Sequence, residues 1–139
     1  MNQEVYAIDI PAEVEKLPEV LAFLEQNLEE MECPLRTQMQ ITVAAEEIFV
    51  NIASYAYVPG AGMSSVRLER FRDPTGVAIT FTDSGTPFDP LKQKDPDVSL
   101  TAEERRIGGL GIYMVKKTMD DVKYEYRDGQ NHLTIIKQF

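Results

Sequence analysis

Histidine, cysteine and positive charge are scarce in this chain, and each shortage removes a class of chemistry. Cys33 is the only cysteine among 139 residues, so neither an intrachain disulfide nor a multi-cysteine zinc site can form; it reads as a small buried or half-buried thiol before Pro34. His132 is the only histidine and lies in a strand-like run. That excludes a histidine-based nucleophilic triad and a histidine metal cluster, and leaves His132 a structural role. Lys and Arg number 14 against 23 Asp and Glu, a formal net charge of -9. Nucleic-acid affinity is built largely on clustered Lys and Arg, so no nucleic-acid contact is expected. No stretch approaches the roughly 18 consecutive apolar residues of a membrane span, and Met1 to Ile10 lacks the basic-then-apolar layout of a signal peptide. The expectation is a cytoplasmic protein without membrane contact. With 43% apolar residues, the chain fits one globular domain, residues 1–139, around a single core.

The pattern of what is present gives the element order. Val5 to Ile10 is rich in β-formers and stopped by Pro11, an opening strand suited to a sheet edge. From Ala12 to about Met31, Val14, Leu17, Val20, Leu21, Leu24 and Leu28 recur at three- and four-residue steps with glutamates between them, an amphipathic helix. Pro18 is also a candidate start for it. After Cys33-Pro34 a second helix runs from Leu35 through to Tyr57, nearly apolar all round, which implies packing on more than one side. Pro59 to Gly62 is a loop. Ser65 to Arg72 and Val77 to Thr82 alternate as two strands of a hairpin around Asp73-Pro74-Thr75-Gly76. Leu91 to Ile107 is charged and poor in apolar residues, the composition of a loop or lid. Gly108-Gly109-Leu110-Gly111 opens a short helix through Met119, and Lys123 to Arg127 and His132 to Phe139 form a hairpin joined by Asp128-Gly129. The alternating strands each have one apolar face to cover, and three helices to do it. The predicted fold class is therefore α/β: a two-layer sandwich with a mixed, mainly antiparallel sheet and three helices on one face.

Within the second helix, Glu47 and Asn51 stand four residues apart, so they share a face. Such a pair also fits a solvated helix face. In an otherwise apolar helix, however, buried polar groups need water, a ligand or a partner. A carboxylate is a candidate general base and an amide oxygen a candidate Mg²⁺ ligand, a pairing that serves phosphoryl transfer. The glycines before Ile112 bare backbone amides at a helix start, which favours phosphate.

Three motifs occur in order: Glu47-x-x-x-Asn51, Asp83-x-Gly85 followed by Phe88-Asp89-Pro90, and Gly108-Gly109-Leu110-Gly111. Over nearly its full length the chain thereby resembles the GHKL (Bergerat) ATP-binding fold, the histidine-kinase-like ATPase domain of gyrase-type ATPases, histidine kinases and mismatch-repair ATPases. It is most similar to the small RsbW-like anti-sigma-factor serine kinases. The motifs match that family's N-box and its two glycine boxes.

The resemblance implies ATP and Mg²⁺ as cofactors. By it, Glu47 is the general base, Asn51 the Mg²⁺ ligand, and Asp83 the acceptor for the adenine amino group. Gly85 gives room at the base, and Gly108, Gly109, Leu110 and Gly111 line the phosphates through backbone amides. Arg106 is placed like the lid arginine that neutralises the γ-phosphate, although Arg105 and Arg106 also read as a solvated charge run paired with Glu103 and Glu104. Asp89 also reads as a turn starter before Pro90. Tyr55 stands where many relatives carry histidine, and Thr86-Pro87 replaces a glycine-containing stretch. The implied function is that of an ATP-dependent protein serine/threonine kinase and anti-sigma factor. It would phosphorylate a STAS-type anti-sigma-factor antagonist, bind a sigma factor and act as a homodimer. The alternative is an ATP-binding regulatory module that sequesters a partner without phosphoryl transfer.

Overall fold

The computed structural model describes residues 4–92 and 110–139. Strand β1 (Val5–Pro11) leads through a 3₁₀ turn, Val14–Lys16, into α1 (Leu17–Glu30). Pro18 sits in the first turn of α1, where its missing N–H costs nothing. The helix stops by a Schellman arrangement: Glu32 takes a positive φ of 59°, its N–H donates to the Glu29 carbonyl at 2.9 Å, and the Cys33 N–H donates to the Leu28 carbonyl at 3.0 Å. Pro34 then precedes α2 (Leu35–Asn51).

The second helix does not reach Tyr57 as a regular α-helix. It changes at Asn51 into a π-helical turn, Ile52–Ala56, and such turns re-aim the chain at its local register. Beyond it come β2 (Met63–Phe71), β3 (Gly76–Asp83), a 3₁₀ turn at Pro90–Lys92, α3 (Leu110–Thr118), β4 (Asp121–Arg127) and β5 (Gln130–Gln138). Asp128 and Gly129 both take positive φ, 54° and 76°, as the two-residue β4–β5 turn requires. Most of the segment from Leu91 to Ile107 expected as a lid lies outside the described residues.

The sheet order is β1-β2-β3-β5-β4, with β1 at an edge as expected. The sheet, expected to be mixed and mainly antiparallel, is antiparallel at all four described pairings. Alternation decides which face is covered. Val66, Leu68, Val77, Ile79, Phe81, Leu133 and Ile135 point to one side and are almost fully buried, together with Val20, Leu24 and Leu28 of α1, Ile41, Ile48 and Phe49 of α2, and Val115 of α3. Burying each such side chain is worth roughly 1.5–3 kcal/mol. The other face stays polar and free of helices among the described residues. It carries Arg67 and Ser65, the Thr80–Thr134 hydroxyl pair at 2.9 Å, and Thr82 with His132 Nδ1 at 3.1 Å.

One expectation about α2 needs correcting. Its core side buries Ile41, Ala44, Ala45, Ile48 and Phe49, yet Leu35, Met39 and Val43 are 71%, 60% and 67% exposed. The helix is therefore packed on one flank, not all round. α1 and the sheet cover that flank, and α3 (Leu110–Thr118) packs against α2 beside it.

Candidate functional site

The exposed flank of α2 and the facing side of α3 enclose an apolar groove of about 910 Å³, and Glu47 and Gly111 both line it. Glu47 is half-buried, with no hydrogen-bond or ion-pair partner among the described residues. Burial pushes its carboxyl above the usual glutamate range, and the neighbouring charge of Glu46 adds to the rise. A carboxylate of raised pKa, untied and facing an open groove, has the properties of a proton acceptor.

Gly111 has a steric reason to be glycine. A Cβ built on it would collide with the Glu47 carboxylate, so the missing side chain is the space in which the acid sits, against the first turn of α3. Asn51 is the last residue of α2. It is half-buried and its amide has no partner among the described residues.

The second cluster lies at the end of β3. Asp83 is only 5% exposed, and its Oδ1 accepts the Gly85 N–H at 2.9 Å and the Asn131 Nδ2–H at 2.9 Å. The π-helical turn after Asn51 brings Ala56 onto this spot. The Thr86 N–H donates to the Ala56 carbonyl at 2.9 Å, and a Cβ on Gly85 would run into the Ala56 backbone. In the structure, then, Gly85 is small because main chain lies against it. Tyr57 adds a second tie: its hydroxyl donates to the Met63 carbonyl at 2.6 Å and accepts the Ser84 N–H at 2.7 Å. Asp89 accepts the Leu91 N–H at 2.9 Å, the turn-starting role open to it.

Glu47 is thus brought together with Gly111, and Asp83 and Gly85 with the chain leaving Asn51. Arg106, Gly108 and Gly109 lie outside the described residues, and Leu110 is the first residue of α3.

The chain matches the family model described as the histidine kinase-like ATPase domain over residues 10–137. It belongs to that family. Among curated relatives, the serine/threonine-protein kinase BtrW of Bordetella bronchiseptica is 29% identical over 100 residues, covering 72% of this chain and 70% of that protein. The serine-protein kinase RsbW of Listeria monocytogenes is 31% identical over 93 residues, covering 64% of this chain and 59% of that protein. The chain thus spans about three-fifths of that RsbW. A solved structure, the SiaB–SiaC complex from Pseudomonas aeruginosa, shares the fold with a TM-score of 0.62 at 15% identity, over 96% of this chain and 89% of that one. The chain is thus a kinase-like ATPase domain, and the two curated relatives above are a serine/threonine-protein kinase and a serine-protein kinase.

One residue of the domain's site escaped the sequence reading. Asn131 pairs directly with Asp83 across β3 and β5, yet the last strand was expected to begin at His132. The available signal was period two: counting back from Ile135 and Leu133, position 131 faces the core, where an amide is out of place without a partner. Cys33 is buried as expected, and burial pushes its thiol up to about 11. Among the described residues no three His, Cys, Asp or Glu side chains gather as a metal site, and no helix is long and apolar enough to cross a membrane.

Proposed function

We propose that this domain is a protein serine/threonine kinase that transfers the γ-phosphoryl group of ATP to a hydroxyl on a partner protein, with Glu47 as general base. The observation that carries the reading is the Glu47 carboxylate itself, half-buried, of raised pKa and facing a groove large enough to admit a protein segment. In the step, Glu47 accepts the hydroxyl proton, the freed oxygen bonds to the γ-phosphorus, and the bond to the β–γ bridging oxygen breaks to leave ADP.

The residues fit ATP and Mg²⁺. Asp83 offers a buried acceptor for an adenine amino group, and the start of α3 offers backbone donors to phosphate. Asn51 supplies a neutral oxygen, sufficient because Mg²⁺ on a nucleotide is held mainly by phosphates and water. Bound Mg²⁺ would neutralise phosphate charge there. Arg106, Gly108, Gly109 and Leu110 join this proposed set by their place in the sequence motif.

By likeness to the RsbW-type relatives, the acceptor is a STAS-type anti-sigma-factor antagonist. The domain would then also act as an anti-sigma factor in the cytoplasm, holding a sigma factor as a homodimer. The test is Glu47→Gln, nearly isosteric but unable to take the proton. Transfer from radiolabelled ATP to the acceptor should fall roughly 10²- to 10⁴-fold while ATP affinity persists, the signature of an interaction made in the transition state. Equal rates in variant and wild type would remove Glu47 as base. A wild type that binds ATP and a sigma factor but phosphorylates no candidate acceptor would establish the sequestering module instead.

A further inference from the structure

Asn131 is 7% exposed, and its amide uses every hydrogen-bonding position it has. Its Nδ2 donates to Asp83 Oδ1 at 2.9 Å and to the Thr86 carbonyl at 3.1 Å, with the Gly85 carbonyl a longer third at 3.5 Å. Its Oδ1 accepts the Phe88 N–H at 3.2 Å and the Tyr124 hydroxyl. Both hydrogens and both lone pairs are filled, and a flipped amide would set donors against donors and acceptors against acceptors, so the orientation is fixed by its partners.

The consequence falls on Asp83. Its Oδ1 is held by two donors, Gly85 N–H and Asn131 Nδ2–H, and Oδ2 makes no hydrogen bond among the described residues. The carboxylate is thereby pinned in one rotation with its second oxygen left to accept. A carboxylate presented this way favours a 6-amino group and repels a 6-oxo group, since both oxygens are acceptors.

We propose that Asn131 is a positioning residue for purine selectivity: by locking Asp83 Oδ1 from the neighbouring strand, it aims Oδ2 at the exocyclic amino group of the nucleotide base. This rests on the reading of Asp83 as the base acceptor. Asn131 also ties that carboxylate to the loop after β3 through Thr86 and Phe88, so base recognition and the shape of that loop depend on one amide.

The experiment is a calorimetric titration of the full chain with ATP and with purine riboside triphosphate, which lacks the amino group. Asn131→Ala should weaken ATP binding roughly tenfold and leave the analogue nearly unaffected. In an Asp83→Ala background the same substitution should change neither, because contacting residues that act through one another are not additive. Tyr124→Phe, which removes a bond only from the acceptor side of Asn131, should leave ATP affinity close to wild type. Asn131→Asp keeps size and the acceptor oxygen but turns the donor into a second carboxylate facing Asp83. It should weaken ATP at least as much, and it serves if the alanine variant does not fold. Equal loss for both nucleotides, or an undiminished effect in the Asp83→Ala background, would assign Asn131 to general scaffolding and overturn the proposal. So would unchanged ATP affinity in the Asn131 variants when Asp83→Ala is weakened. Unchanged affinity in Asp83→Ala itself would instead overturn the base-site reading, and this inference with it.

Discussion

Gly111→Ala separates the base from the scaffold by a single methyl group. The added Cβ would occupy the place of the Glu47 carboxylate, and of the two the carboxylate is the one free to move, being the end of a flexible side chain beside an open groove. The fold should therefore tolerate the change. Ala in place of Gly within a helix gains up to about 1 kcal/mol, here offset by the expelled acid, so the melting temperature should hold or rise slightly. Catalysis should not tolerate it. Displacing a base by about 1 Å costs on the order of 10² in rate, equivalent to roughly 2.7 kcal/mol of barrier at 1.36 kcal/mol per decade. The assay is single-turnover transfer from radiolabelled ATP to the acceptor, beside an ATP titration and a thermal melt. ATP affinity should stay near wild type because alanine keeps the backbone N–H. Combining Gly111→Ala with Glu47→Gln should cost no more than Glu47→Gln alone, since a base already lost cannot be displaced again. Wild-type transfer by Gly111→Ala, or additive losses in the double variant, would refute the packing of acid against glycine as the arrangement that matters.

The raised pKa of Glu47 sets a pH dependence. Transfer should fall as the medium is acidified through a pKa above the usual glutamate range, and Glu46→Gln, which removes the second cause of the rise, should move that limb to lower pH; a limb that does not move would exclude the charge coupling. For stability the sign is opposite: a raised carboxyl pKa means the fold prefers the protonated form, so this contribution is present below the ordinary glutamate pKa and lost as pH rises through the raised value, readable as a shift of urea midpoint against a Glu47→Gln control. Cys33, buried and pushed up to about 11, should resist iodoacetamide at neutral pH in the native protein and react on unfolding in denaturant; fast native labelling would show that the turn between α1 and α2 opens.

The sequence by itself determined the element order, because periodicity two and periodicity 3.6 are local properties that survive without a fold. It also determined which side of β2 turns inward, through Val66 and Leu68. The Asp128-Gly129 turn and the edge strand before Pro11 were legible for the same reason, each resting on backbone chemistry within a few residues; of the two starts open to α1, Ala12 and Pro18, the structure takes the one at Pro18. Glu47 and Asn51 stood out in sequence as polar residues in an otherwise apolar helix, Gly111 as one of the glycines baring a helix start, and Asp83 through the resemblance to the family's glycine box.

What only tertiary structure decided is which of these residues meet. No local rule places the Gly111 backbone against the Glu47 carboxylate, 64 positions away, or lays Ala56 over Gly85 through a π-helical turn. The open flank of α2 was illegible for a related reason. Leu35, Met39 and Val43 are apolar like Ile41 and Ile48, and their exposure follows from which flank of the helix is packed and not from their own chemistry. Asn131 is the extreme case: its sequence neighbours put it on the core side of a strand and say nothing of what it meets. Its importance comes from the register that sets it opposite Asp83, and register is fixed by the whole sheet.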